Sequence, residues 1–400
     1  MRTRWSSTDP DAVPVGEGLS QDLIECARAS RLLGSDSYLV LHGGGNSSVK
    51  IGQAIYVKAS GFDMRTIGPE GFSGLDRAAL DTLLARDTMT DADLVSGLRA
   101  ALLDPVSATP SIETLLHNLL PFRSVLHSHA DPIVTLTDNT DAHALVAEVF
   151  GEDVLLLPYC MPGFELAKLV QNEWAKLEGR EVRGIVLAHH GLFTFGDTAQ
   201  QAYERQIDLI ERAERFILQR TGIEFVDDPE EAELSWKDAP VGLRSLAVRG
   251  SELAGTPLIA CALVSPTIAA FVRRADVTDI TQRGPSTLEH VIRTKRVPQV
   301  GADVDGYAQA YAEYFLRNQS RSATPLTMLD PAPRVILDPV LGIVSLGRTD
   351  KDARIVQDIY RHTIRVIAAA EALSTYLAIT EGQSFDIEYW DLEQAKLHRA

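Results

Sequence analysis

The sequence predicts an α/β protein built as two domains. Short apolar runs of strand character alternate with stretches of helical periodicity, as where "GIVLAHHGLFTFG" leads into a long helix from Thr198 to about Gln219. A chain of 400 residues is also too long for a single hydrophobic core. In addition, the C-terminal half carries a second copy of one strand–turn–helix pattern found in the N-terminal half.

Changes in composition set the domain limits. We predict one domain at residues 15–222, a second α/β domain at 240–385 and a polar tail at 386–400. The acidic, interrupted stretch "GIEFVDDPEEAELSWKDAP" between the domains is the predicted linker. Apolar periodicity predicts further helices at Leu19–Leu33, Gly163–Leu177 and Asp350–Thr380.

The charge and cysteine content exclude several classes of function. A formal net charge of −17 argues against a general affinity for nucleic acid or an anionic membrane. The three cysteines are widely scattered, which favours buried thiols in a reducing compartment over a disulfide framework. No apolar run reaches membrane-spanning length, and the first fifteen residues contain no long apolar segment of a secretory signal. We therefore expect a cytoplasmic protein.

The stretch "SVLHSHAD" places two of the ten histidines one residue apart. Positions i and i+2 of a strand share a face, so His127 and His129 leave the end of a short buried strand side by side. Two imidazoles directed at one point suit a divalent metal if further ligands exist elsewhere. The alternative is a pair of hydrogen-bonded core histidines.

A third ligand candidate lies about sixty residues later in "LAHHGLFTFG". His190 precedes Gly191 at a predicted tight turn between two strands, while His189 faces the other way. Three histidines with an open fourth position are the usual arrangement of a catalytic zinc. A purely structural zinc site is less favoured, since such sites are closed by four Cys or His ligands.

The segment "TPSIETLLH" supplies a carboxylate. Glu113 falls in the first turn of a predicted helix that leads toward the histidine strand. It is a candidate for proton transfer, although an acidic residue at this position also stabilises a helix through the macrodipole. His117 lies one turn later on the same face, and we interpret it as a supporting or packing residue and not as a ligand.

Two glycine-containing segments, "HGGGNSSVK" and "VKASG", can present donors to an anion. The first lacks the GxGxxG spacing of a dinucleotide-binding loop. Runs of Gly, Asn and Ser are most often plain turns, which remains the alternative. Together with the helix start, they give the candidate substrate- or phosphate-binding residues Gly45, Asn46, Ser48, Lys58, Ser60, Gly61 and Ser111.

The motifs "GGGNSS", "KASG", "PSIE", "HSHAD" and "HHGLFTFG", in this order, resemble the class II aldolase/adducin family over roughly residues 18–220. The resemblance implies a three-layer fold, with a central, mainly antiparallel sheet flanked by helices. It further implies that His127, His129 and His190 hold zinc or another divalent metal and that Glu113 is the catalytic acid/base. Phosphate-binding roles are implied for Gly45, Asn46, Ser60, Gly61 and Ser111.

Within that family the chain looks most like the long rhamnose-utilisation subgroup, which is similar to rhamnulose-phosphate aldolase, without the dehydrogenase often fused to it. The implied reaction is retro-aldol cleavage of a ketose or ketose 1-phosphate by a homo-oligomer, a dimer or tetramer. The family also contains dehydratases, 4-epimerases and the non-catalytic adducin-like modules, which remain alternatives.

This chain departs from the family pattern at two places. Ile112 stands where the short aldolases carry a hydroxyl residue, which removes one phosphate donor. The tyrosine that protonates the aldehyde oxygen in fuculose-phosphate aldolase has no clear counterpart, although Tyr159 and His143 lie in the corresponding region.

The C-terminal half resembles a degenerate repeat. Gly342 aligns with Gly191, Gly347 with Gly196 and Ala353 with Ala202, each offset by about 151 residues. Leu341 stands in place of His190 and no HxH follows residue 220, so we expect no metal in this domain.

The repeat contains one further similarity and one basic cluster. "RGPSTLEHVI" echoes "ATPSIETLLH", and "EHVIRTKR" concentrates basic residues in an acidic chain. His290 and Lys295 of this segment either form a solvated helix end or reach the anionic end of the substrate.

Overall fold

The computed structural model describes Trp5, residues 20–234 and residues 240–397. The chain forms two compact units, Met1–Thr137 with Ala142–Phe216 and Asp138–Asp141 with Ile217–Ala400. No helix in the described ranges is both long and apolar enough to cross a membrane.

The first unit is built on a seven-stranded sheet of order β3-β2-β1-β4-β7-β6-β5. Only the β5–β6 pair at one edge is parallel, and the other neighbours are antiparallel. The strands are β1 Asn46–Ile51, β2 Ala54–Lys58, β3 Phe72–Asp76, β4 Ser124–Ser128, β5 Val154–Leu157, β6 Gly184–Leu187 and β7 Gly191–Gly196.

Helices cover both faces of this sheet. The helices α2, α3, α4 and α7 pack into the main apolar core on one face, and α1 packs on the opposite face of β1. Gln206 of α8 reaches the same opposite face, where it bonds to Ser128 and Thr194. The helices are α1 Gln21–Gly34, α2 Arg77–Leu84, α3 Asp91–Ala100, α4 Thr114–Leu119, α5 Asp131–Thr137, α6 Ala142–Phe150, α7 Phe164–Ala175 and α8 Ala199–Thr221. The expected three-layer class is therefore confirmed.

The second unit has a five-stranded sheet of order β10-β11-β12-β9-β8. Successive residues of its central strands point to two different apolar clusters, one on each face, as a sheet between helices requires. Its elements are β8 Ala232–Leu234, α9 Val241–Ala254, β9 Ile259–Val264, α10 Pro266–Val272, α11 Val277–Thr281, α12 Val291–Thr294, β10 Gln299–Val300, α13 Val304–Asn318, β11 Val335–Asp338, β12 Gly342–Gly347, α14 Asp350–Leu373, α15 Glu381–Glu388 and α16 Asp391–Leu397.

The two sheets share one topology. The run β1-β4-β7-β6-β5 in the first sheet corresponds to β8-β9-β12-β11-β10 in the second, with the chain visiting the strands in the same order. In both runs the last pair is parallel and the others are antiparallel. The degenerate repeat expected from the glycine pattern is thus present as a repeated sheet.

Strand register shows what replaces the histidines in the repeat. Val344 pairs with Ala262 as Phe193 pairs with His127, so Ala262 occupies the position of the first histidine. Leu341 precedes β12 as His190 precedes β7, and both Ala262 and Leu341 belong to an apolar cluster.

Three details of the sequence interpretation are corrected. The segment "RGPSTLEHVI" follows β9, whereas "ATPSIETLLH" precedes β4, the counterpart of β9, so the two segments are not equivalent. The predicted linker contains β8, and its residues 235–239 lie outside the described ranges. The predicted polar tail instead completes α15 and forms α16. Ile387 and Glu388 of this segment are fully buried, because it packs as part of the second unit.

Gly342 offers a test of the repeated turn. Gly342 and Gly255 both have positive φ, of 71° and 65°, but a Cβ at 342 collides with the carbonyl oxygen of Leu263, whereas a Cβ at 255 meets nothing within 4 Å. We expect Gly255→Ala to lower the free energy of unfolding by about 1 kcal/mol, from the left-handed backbone alone. Gly342→Ala should cost at least about 2 kcal/mol, since the strand pair must also move apart. Equal losses in denaturant unfolding would contradict the steric argument.

Candidate active site

Two glycines allow the backbone of β4 to lie close to its neighbours. A Cβ at Gly45 would lie 2.6 Å from the carbonyl oxygen of His127, and one at Gly191 would collide with the carbonyl oxygen of Ser128. His127 is opposite Asn46 on one side and opposite Phe193 on the other. The glycines therefore permit the close strand spacing around the first histidine.

The three predicted histidines meet at the ends of these strands. The Nε2 atom of His127 lies 2.9 Å from Nε2 of His129 and 3.3 Å from Nε2 of His190. His127 is fully buried and its ring stacks on Phe193, with centroids 3.9 Å apart. His190 sits in the three-residue turn between β6 and β7, where His189 adopts a left-handed φ of 59°.

The donor set fits a divalent metal. Nδ1 of His127 donates to the carbonyl of Leu192 at 3.1 Å, so its Nε2 presents a lone pair toward the other two rings. Two nitrogen ligands at about 2.0–2.1 Å from a tetrahedral zinc are about 3.3 Å apart, close to the separations seen here. Among the described residues, this is the one cluster of three or more His, Cys, Asp or Glu whose ligand atoms converge, all within 4.8 Å.

Glu113 stands beside this cluster. It occupies the N-cap of α4 but makes no capping hydrogen bond with its side chain. Its Oε1 lies 3.6 Å from Nε2 of His190 and its Oε2 lies 3.8 Å from Nε2 of His127. The carboxylate is 6 % exposed, and Oε1 makes no hydrogen bond. Its location therefore favours a role at the histidine cluster over the alternative of helix stabilisation.

Asn46 holds the carboxylate in this position. Its Nδ2 donates to Oε2 of Glu113 at 2.6 Å and to Oγ of Ser111 at 3.2 Å. A buried carboxylate that lacked such a donor would carry a large desolvation penalty. The amide thus binds Oε2, the oxygen nearer His127, and leaves Oε1, the oxygen nearer His190, without a hydrogen bond.

The same face of β1 also holds the rest of α4. Ser48 and His117 are joined at 2.8 Å through Oγ and Nδ1, and Lys50 donates to the carbonyls of Leu120 and Phe122 beyond the end of the helix. Burial, reinforced by the charge of Arg77, lowers the pKa of Lys50 to about 7. Asn46, Ser48 and Lys50, at alternate positions of β1, therefore bind the start of α4, its middle and the residues just after its last turn.

Some of the predicted substrate-binding residues surround this site. Ser60 donates its backbone N–H to the carbonyl of Thr109, and Ser111 donates to that of Lys58, so the segments that carry the two serines run side by side around an isolated antiparallel bridge. Ser60 and Gly61 are exposed, and Gly45 directly precedes Asn46. The structure brings Asn46, Ser111 and Glu113 into direct contact. Binding of substrate by these residues stays a prediction.

Ser48 and Lys58 point into the protein. Ser48 is fully buried against His117, and Lys58 is 6 % exposed with its ammonium 3.4 Å from the carbonyl of Ala59. Neither placement supports a direct contact with substrate. Ile112, for its part, packs against the main core of the first unit.

His290 and Lys295 are buried within the second unit. The ammonium of Lys295 lies 3.6 Å from Oε1 of Glu388, donates to the carbonyl of Asp330 at 3.0 Å and sits over the ring of Tyr311. The prediction of a solvated helix end is therefore wrong for Lys295, which is buried and whose charge is balanced by Glu388 inside the unit. Contact of His290 or Lys295 with substrate stays a prediction.

The sequence reasoning missed the bond between His117 and Asn46 and the role of Lys50. A signal was present in the chain. Asn46, Ser48 and Lys50 occupy every second position of β1, so their polar side chains share one face of the strand, and all three are buried. Buried polar groups need hydrogen-bond partners, which indicates polar partners on that face.

Comparison with known families decides the relationship. Residues 24–217 match the class II aldolase and adducin N-terminal domain, and residues 239–397 match the family described as aldolase class II, second domain. The chain belongs to the class II aldolase and adducin family. The second match covers the unit whose sheet repeats the first.

Three individual relatives of this class II aldolase family member cover different parts of the chain. An "uncharacterized oxidoreductase YuxG" of Bacillus subtilis is 29% identical over 98% of this chain, which spans 60% of the length of that relative. A 5-methylthioribulose-1-phosphate/5-deoxyribulose-1-phosphate aldolase of Rhodospirillum rubrum is 25% identical over 50% of this chain and 80% of its own length. The N-terminal class II aldolase domain of a conserved Thermoplasma acidophilum protein is 39% identical, covering 54% of this chain and 99% of its own, with a TM-score of 0.48.

Removal of one imidazole tests the metal centre. We expect His129→Ala to lose stoichiometric zinc, because two histidines cannot replace the three protein ligands of a catalytic site. His143→Ala, which removes an exposed histidine of α6, is the matched control and should keep its metal. Metal analysis of the purified variants makes the comparison, and one tightly bound zinc retained by His129→Ala would refute the assignment.

Proposed function

We propose that this protein is a zinc-dependent aldolase that cleaves a ketose 1-phosphate, or a ketose, by retro-aldol chemistry. The observation that carries the proposal is the buried Glu113 carboxylate placed 3.6–3.8 Å from the imidazole nitrogens of His127 and His190. A non-catalytic binding module has no use for an acid/base group beside a convergent set of metal ligands. The family match and the aldolase relative of Rhodospirillum rubrum support the same reaction class.

The three histidines would hold the metal, and His129 is the least buried of them. Zinc bound by such a set supplies Lewis-acid stabilisation of the negative charge that develops on substrate oxygen during carbon–carbon cleavage. His127, His190 and Glu113 are all buried, at 0%, 3% and 6% exposure. Such burial limits the access of bulk water to the carboxyl group that is to move a proton.

Glu113 performs the proton transfer at carbon. In the cleavage direction the hydroxyl of the future aldehyde gives its proton to solvent, the adjacent carbon–carbon bond breaks, and the electron pair is left on the other fragment as an enediolate. Glu113 takes up a proton from solvent for the next step. Glu113 delivers a proton to the carbon of that enediolate, and it removes the same proton in the condensation direction. Its Oε1 is the oxygen free for this task, since Oε2 accepts from Asn46.

The substrate class and the assembly are the finer parts of the proposal. The Rhodospirillum rubrum relative acts, by its name, on ketose 1-phosphates, which supports a phosphorylated substrate of the rhamnulose-1-phosphate type. Gly45, Ser60, Gly61 and Ser111 are the donors we assign to its phosphate. We also propose a cytoplasmic homo-oligomer, either a dimer or a tetramer, which light scattering of the purified protein tests.

A substrate panel tests the reaction itself. Zinc-loaded protein is incubated with ketose 1-phosphates and with the free ketoses, and the released aldehyde is measured. We expect aldehyde from at least one ketose 1-phosphate. Loss of water or epimerisation with no aldehyde from any substrate would replace the aldolase proposal by a dehydratase or an epimerase.

Neutralising the carboxylate tests the role of Glu113. Glu113→Gln should fold and bind zinc but lose about 10²–10⁴-fold in kcat, the range expected for a positioned acid/base group. Glu165→Gln, which neutralises an exposed glutamate in the first turn of α7, is the matched control and should leave kcat unchanged. Near-normal turnover by Glu113→Gln would remove Glu113 from the mechanism.

A further inference from the structure

The carboxylate of Glu113 belongs to a closed ring of hydrogen bonds with Asn46 and His117, and the proposed reaction assigns no role to His117. The backbone N–H of His117 donates to the carbonyl of Glu113 at 3.1 Å, and Nε2 of His117 bonds to Oδ1 of Asn46. Asn46 then donates to Oε2 of Glu113. Glu113 and His117 lie one helical turn apart, so both can reach the same amide.

The direction of every bond in this ring is determined. A carboxylate oxygen only accepts, so Nδ2 of Asn46 must face Glu113 and Oδ1 must face His117. His117 must therefore carry its proton on Nε2. Its Nδ1 is then an acceptor, and Ser48 donates its hydroxyl to it at 2.8 Å.

The charge state of His117 agrees with this assignment. Burial, with smaller contributions from His127 and Lys50, holds the pKa of His117 well below its usual value, so the ring is neutral and has one N–H. His117 is fully buried and packs edge-on against Phe193 at a centroid distance of 5.5 Å. The tautomer, and not protonation, decides how it acts on Asn46.

Building on the proposed aldolase function, we propose that His117, as its Nε2–H tautomer, is a positioning residue for Glu113. It fixes the amide of Asn46 in the one orientation that donates to Oε2, and so leaves Oε1 as the proton-transfer oxygen at the histidine cluster. With the opposite tautomer, the amide could turn its oxygen to the carboxylate, and the two acceptors would repel each other.

The tautomer can be read without any activity. In protein labelled with ¹⁵N-histidine, long-range proton–nitrogen correlation distinguishes Nε2–H from Nδ1–H, and His117→Gln assigns the signal. We expect Nε2–H in the wild-type protein. An Nδ1–H tautomer would overturn the proposal, whatever the outcome of the substrate panel. Absence of cleavage with the expected tautomer would overturn the aldolase function alone.

Kinetic variants test the action on Glu113. We expect His117→Leu to lower kcat by about 10–100-fold at unchanged zinc content and nearly unchanged KM, the size of loss that follows a misplaced catalytic group. His117→Gln, which keeps an N–H donor near the position of Nε2, should recover most of that loss. In a Glu113→Gln background, His117→Leu should cost nothing more, since there is no catalytic carboxylate left to position. An additional loss of full size in that background would show a merely structural role.

Two neighbouring serines give a milder pair of variants, should the helix not tolerate leucine. Ser48→Ala removes the donor to Nδ1 and should lower kcat, with a shift toward the Nδ1–H tautomer. Ser47→Ala is the matched control, because Ser47 is equally buried in β1 but bonds to Ser30 on the opposite face. Equal effects of the two substitutions on kcat would overturn the proposal.

Discussion

The hydrogen bond from Asn46 to Glu113 is the interaction on which the site depends. It joins a central strand to the start of a short helix and gives a partner to one oxygen of a nearly buried carboxylate. An isolated six-residue helix is too short to be stable by itself. Strand β1 supplies the additional stabilisation that α4 needs. Its alternate side chains bind Glu113 at the start of the helix, His117 within it and the carbonyls after its last turn.

The histidine cluster has a different structural basis. It depends on how closely three strands approach, which Gly45 and Gly191 permit, and on the stacking of His127 against Phe193. A side chain at either glycine would push a neighbouring strand away from β4. The candidate metal ligands and the proposed acid/base group are thus held in two different ways, the first by close strand spacing and the second by side-chain hydrogen bonds, and the two meet where β1 and β4 pair.

The sequence predicted the histidine cluster well because strand alternation and a glycine turn are local rules. The pairing of His127 with His129 and the turn at Gly191 needed no knowledge of distant contacts. The ring through His117 could not be predicted, since it depends on which face of β1 meets α4, 65 or more residues away in the chain. Sequence similarity was misleading for "RGPSTLEHVI". Only the order of the strands shows that this segment follows β9, whereas "ATPSIETLLH" precedes the equivalent strand β4. The buried end of α15 could not be predicted from composition, because its polar groups have partners far away in the chain. Glu388 accepts a hydrogen bond from Tyr311, and the hydroxyl of Tyr389 accepts one from the backbone N–H of Leu329.

Because the two sheets share one topology, the second sheet can be compared with the first, position by position, within the same chain. The unit around β12 keeps the glycines at both ends of the strand and the alanine of the following helix, while alanine and leucine replace two of the three histidines. Gly347 lies against Ala353 as Gly196 lies against Ala202, so the same contact survives in both copies. The glycines and the alanine that persist in the second sheet are explained by its close packing alone, whereas the proposed chemistry is what would require the histidines that are replaced there. A single chain therefore separates the positions that its sheet packing requires from those that its proposed reaction requires.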